Sequence, residues 1–179
     1  MEELIKKIES TFRNATSSDE LFDAFKDALK LNICTLESFK ILLANPALSS
    51  DEVKMFTEKL IKEFSSNVFD LCIWTAKIFE NEPDNNDRLN DALHYYSRAI
   101  SNQPTSHEPF VKLLELYNYE IDLPTNQKIL DLVSVGIPAV HYKSKVHYAL
   151  SNHYKRAGNI QLAAKHLALA EKSSEREGR

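Results

Sequence analysis

Apolar residues recur at every third or fourth position through most of this chain, the spacing that lines one face of an α-helix. The stretch 143–173, KSKVHYALSNHYKRAGNIQLAAKHLALAEKS, carries the pattern most clearly. Val146, Leu150, Tyr154 and Ala157 fall on one face of a first helix. After a turn at Gly158, Ala163, Leu167 and Ala170 fall on one face of a second. Small residues let helix axes approach closely, so the pattern predicts a helical hairpin built to stack on a neighbour.

The same spacing runs back to the N-terminus. Ile5, Ile8 and Phe12, with Leu4 beside them, predict a helix over MEELIKKIESTFRNA. TSSDE then supplies a cap and acidic residues for a helix from Asp19 to about Leu31 that presents Leu21, Ala24, Phe25 and Ala28. Thr35 caps LESFKILLA, which should stop near Asn45 because Pro46 disfavours helical geometry in the residue before it. SSDE at 49–52 opens a helix with Val53, Phe56, Leu60 and Phe64 on its apolar face. Residues 67–81, NVFDLCIWTAKIFEN, are apolar round much of the circumference, which predicts a helix buried from two sides with Trp74 inside it. A polar loop, PDNNDR, separates it from DALHYYSRAISNQP, where Ala92, Tyr96, Ala99 and Ile100 share a face and Pro104 ends the helix. Phe110, Leu113 and Tyr117, then Leu130 and Val133 with Pro124 in the turn, complete the series.

Composition narrows the class. Among 179 residues there are only three glycines and six prolines, too few turn residues for a strand-rich fold. No apolar run approaches the ~20 residues that span a bilayer, and MEELIKKIES lacks the plan of a secretory signal, so cytoplasmic or nuclear residence is expected. Cys34 and Cys72 are isolated among apolar neighbours and are expected as small buried thiols. The formal net charge of -4 conceals an asymmetry: residues 1–138 hold 14 Lys or Arg against 23 Asp or Glu, and residues 139–179 hold 8 against 3. A positive end sits on a negative body.

The hairpin at 143–173, the string YYSRAI, and the 34-residue interval from Pro104 to Pro138 resemble the tetratricopeptide repeat, a helix-turn-helix unit of about 34 residues that stacks into a solenoid. The resemblance covers about 65–173 and, more faintly, 2–32. Asn126 and Val133 stand where that family prefers alanine, and the segments before Ala92 and Ser144 break the strict period. Trp74 in a first helix and YYSRAI in a second are also similar to the half-a-TPR repeat of RNA-processing scaffolds. The resemblance implies an all-α, right-handed α-solenoid of about ten helices in antiparallel hairpins. One helical repeat domain is expected, with 1–66 as degenerate pairs, 67–173 as clearer repeats and 174–179 as a polar tail. It also implies a non-enzymatic protein-binding scaffold or adaptor, with a subunit of an RNA-processing or ribonucleoprotein complex as the alternative.

Chemistry-bearing patterns are sparse. Histidines at 141, 147 and 153 stand six apart, roughly 240° round a helix, where no two reach one ion; partly exposed packing is the expectation, with no metal and no cofactor. No phosphate loop or nucleophile elbow occurs, and Ser151 and His153 point apart on a helix, so no catalysis is expected. The informative face is that of Lys145, Tyr148, Asn152, Lys155 and Arg156, joined from the preceding repeat by Lys112, Asn118 and Tyr119. In the repeat family this side lines a groove for extended peptides or helices, and its cations suit an acidic protein segment. Ala149 stands where the chaperone-tail clamp of that family has an arginine, so the complete clamp is missing. The acidic body opposes nucleic acid along the chain. The apolar last helix suggests a homodimer contact.

Overall fold

The computed structural model describes residues 2–81, 86–120 and 124–178. Those residues form ten α-helices and no strand, so the all-α class holds. They divide into two compact units, Met1–Asn67 and Val68–Arg179.

The first unit holds α1 (Glu2–Asn14), α2 (Ser18–Leu31), α3 (Leu36–Leu43) and α4 (Ser50–Glu63). Its core is a phenylalanine cluster: Phe25 stands 4.6 Å from Phe56 and edge-on to Phe39, and Phe12 stands 6.0 Å from Phe39. The sequence places these rings at helical spacing with Ile8, Leu21, Leu42, Val53 and Leu60, all buried. Local chemistry sets the ends of the helices. The Thr35 hydroxyl accepts from the Ser38 N–H, and Ser49 and Glu52 exchange bonds in a capping box. Asn32, in the left-handed region at φ 49°, closes α2. Asn45 donates through its side chain to the carbonyls of Phe12 (2.9 Å) and Ala15 (3.1 Å), which the end of α1 leaves without helical partners.

The second unit holds α5 (Val68–Glu80), α6 (Asn86–Asn102), α7 (Glu108–Glu115), α8 (Pro124–Gly136), α9 (Lys143–Arg156) and α10 (Ile160–Glu177). α5 packs on α6, α6 on α7 and α8, α7 on α8 and α9, and α9 on α10. Each contact thus joins a helix to its successor or to the one after that. Gly158, at φ +77°, makes the turn between α9 and α10. Pro124 opens α8 as its first residue, where its missing N–H costs nothing. Of the expected polar loop, residues 83–85 lie outside the described residues, and α6 begins at Asn86.

Several expected core positions differ. Trp74 is half-buried, and Leu71, Cys72, Ile73, Ala76 and Phe79 fill the core of α5 instead. An apolar helix leaves its register open, and neighbours choose which of its many apolar residues face inward. In α8 it is Ile129, not Leu130, that is buried with Val133. Tyr117 falls beyond the end of α7. Ala157 and Leu167 are exposed, because α10 turns Ala163 and Ala170 toward its partner and leaves Leu167 at the edge.

Candidate binding groove

α7 and α9 pack side by side and leave a groove between two stripes of side chains. On α9, Lys145, Ala149, Asn152 and Arg156 recur at helical spacing along the groove; on α7, Glu108, Val111, Lys112 and Glu115 answer them. The larger part is a cavity of about 440 Å³ that includes Lys112, Lys145 and Asn152. A second part of about 150 Å³ adds Tyr119, His153 and Arg156. Val111, Ala149 and Asn152 line both, so the two are continuous. The methyl of Ala149 leaves the floor low, and the long side chains at either end rise as walls.

The walls differ in electrostatics. On the α7 side the charges are compensated: Glu108 pairs with Lys77 at 3.0 Å, and Lys112 with Glu115 at 2.5 Å. The hydrogen bond that Lys112 donates to Glu115 outweighs burial and holds the Lys112 ammonium above its ordinary value, and Glu80 and Glu108 add to it. Glu80 itself accepts from the Tyr96 hydroxyl at 2.6 Å. On the α9 side Lys145, Lys155 and Arg156 are exposed, and among the described residues none has a carboxylate within 4 Å.

Arg156 lies instead over the ring of Tyr119, its guanidinium carbon 4.2 Å from the centroid. The Tyr119 hydroxyl shares a hydrogen bond of 2.9 Å with His153 Nδ1, and the ring of Tyr117 meets His153 edge-on at 4.5 Å. Burial pushes His153 below the ordinary histidine value, and Arg156 pushes the same way. Burial raises the Tyr119 phenol, against the pull of Arg156. Both rings therefore stay neutral near pH 7, and they fix the Arg156 end of the groove.

Of the eight positions singled out in the sequence, the groove gathers five: Lys112, Tyr119, Lys145, Asn152 and Arg156. Tyr148 and Lys155 are exposed on α9 outside it, each about 100° round the helix from its neighbour in the groove, Ala149 or Arg156. Asn118 belongs to the turn: its N–H donates to Asn126 Oδ1 at 3.0 Å, and its carbonyl accepts from Asn126 Nδ2 at 2.8 Å. That pairing explains Asn126, a buried amide where the repeat family prefers alanine. Sequence reasoning missed His153. It and His147 are buried, not partly exposed, because each finds a hydrogen-bond partner on another segment. Ser151 donates to the Ala163 carbonyl at 2.8 Å, a link between α9 and α10. Among the described residues no three His, Cys, Asp or Glu gather where they could hold a metal ion, and no helix is long and apolar enough to cross a membrane.

Comparison with known proteins gives no matching family model, no matching curated protein and no matching solved structure.

Proposed function

We propose that this chain is a non-enzymatic, tetratricopeptide-like scaffold that holds an acidic segment of a partner protein in the groove between α7 and α9. One observation carries the reading. Lys145 and Arg156 lack carboxylate partners among the described residues, and between them the Asn152 amide makes no hydrogen bond within that set. Cations without internal carboxylate partners attract carboxylates, and an unengaged amide can pair a peptide group. From Lys145 to Arg156 the wall runs ~16 Å along the helix, the length of about five residues of extended chain. The packing of each helix from α5 to α10 on its near neighbours supports the repeat-like part of the proposal; right-handed stacking of those hairpins is part of what we propose. On α10, Ile160 and Leu167 are 66% and 41% exposed, which supports a second contact there with another copy of the chain.

The test is a titration, followed by fluorescence anisotropy, of a labelled glutamate-rich hexapeptide with the full chain at low salt. Binding should weaken as salt rises and fall about tenfold or more in the Lys145→Glu/Arg156→Glu double variant, while Lys155→Glu, outside the groove, changes it less. A lysine-rich peptide of equal length should not bind. Equal affinity in the double variant, or no acidic binding at low salt, would sink the proposal.

A further inference from the structure

Behind the groove a second histidine site joins α9 to α10. His147 Nδ1 stands 3.1 Å from His166 Nδ1, and Tyr154 stacks on the His166 ring at 5.3 Å. The two imidazole centroids are 5.3 Å apart, and the 2.2 Å by which this exceeds the nitrogen separation is close to two ring radii. Both nitrogens therefore lie near the line joining the rings. That is the end-on geometry of an N–H···N bond, in which one ring keeps its Nδ1 proton and the other offers a lone pair. A metal ion bonded to both at ~2.0–2.1 Å would sit off that line, away from the lone pairs.

The bond tolerates one added proton but not two. With one ring charged, donor and acceptor both remain and the bond strengthens. With both charged there are two donors, no acceptor and two like charges in contact. We propose that the His147–His166 pair is an acid-sensitive latch: it holds α9 against α10 near neutral pH and releases the hairpin once both rings are charged.

The surroundings resist that second charge. Burial is the main cause that pushes His147 below its ordinary value of 6.5; Lys143 on α9 adds to it, and Glu177 on α10 opposes it. Burial likewise lowers His166, with His147 and His153 on α9 and Lys165 on α10 acting in the same direction. The charged residues of α7, Glu108, Lys112 and Glu115, face the groove side of α9, opposite His147. The turn Ile137–Ala139, which also packs on α9, has no titratable side chain. The folded chain thus binds fewer protons here than the unfolded one. Its stability from this pair is complete above 6.5 and is lost as the pH falls below that value. Since α9 carries Lys145, Asn152 and Arg156, release of the latch would also free the basic wall of the groove. That consequence rests on the proposed function; the latch itself does not.

The test contains no ligand, so its outcome is separate from that of the groove. Thermal unfolding midpoints of the full chain are compared between about pH 7.5 and about pH 5.5, for the wild type and His166→Asn, whose amide stands where Nδ1 stood and does not titrate. The wild-type midpoint should fall by several degrees and that of the variant by less than half as much. Equal falls in two folded proteins overturn the latch. Should the variant not fold, side-chain nitrogen NMR of the wild type decides. Two coupled steps, the second well below the first, support the latch, and two rings titrating independently at the ordinary histidine value overturn it.

Discussion

Gly136, at the end of α8, lies so close to the ring of Phe110 on α7 that a Cβ at Gly136 would stand 2.1 Å from Phe110 Cε1. Phe110 is fully buried and has no free side to move into. Elsewhere in a helix, alanine would be preferred to glycine by up to ~1 kcal/mol. Here the overlap decides the sign: Gly136→Ala should destabilise the chain by about 1–3 kcal/mol in urea unfolding. A neutral or stabilising result would mean that α7 and α8 part more readily than the contact implies.

Asn45 ties the end of α1 to the segment after α3 through both halves of its amide, donating to Phe12 and Ala15 and accepting from the Ala47 N–H at 2.8 Å. Asn45→Ala leaves buried carbonyls unmet and should cost about 1–3 kcal/mol. Asn45→Asp should cost more, because a carboxylate faces two carbonyls. Chemical denaturation of the two variants checks the order.

The start of α4 is sensitive to acid. Hydrogen bonds from Ser49 hold the Glu52 carboxyl below its ordinary value of 4.5. A depressed carboxylate stabilises the fold fully above that value and loses the contribution as the pH falls below it. Ser49→Ala should lower stability by about 1 kcal/mol near neutral pH, with a smaller difference from wild type at acid pH. A difference that does not change with pH would place the effect outside the capping box.

In α5, Phe79 is 2% exposed and its ring stacks on Tyr95 with centroids 5.9 Å apart, whereas Trp74 is half-buried. Phe79→Ala should therefore cost ~3–5 kcal/mol, and Trp74→Ala should cost less. Unfolding free energies in the reverse order would put the tryptophan, as its sequence suggests, at the centre of the helix packing.

The two faces of α9 show what can be read along a chain and what cannot. Helix type and ends are local: Thr35 and Ser49 cap, Gly158 turns, and the periodic runs of Ile8 with Phe12 or Val146 with Leu150 choose their own buried face. The sequence by itself therefore determined ten helices and most of their inward residues. It also placed Lys145, Asn152 and Arg156 on one side of α9, because residues at helical spacing share a side wherever the helix packs. Spacing alone left open which helix stands opposite; the likeness to a repeat put Lys112 and Tyr119 of the preceding helix pair there, and the groove gathers both. Only tertiary structure decided that Tyr119 lies under Arg156 and that His147 meets His166. Those contacts join residues from 19 to 37 positions apart, and no local spacing encodes them. Apolar surplus had the same effect in α5, where periodicity allowed Trp74 inside and packing chose Phe79. A helix fixes which residues travel together; the space between helices fixes which of them meet.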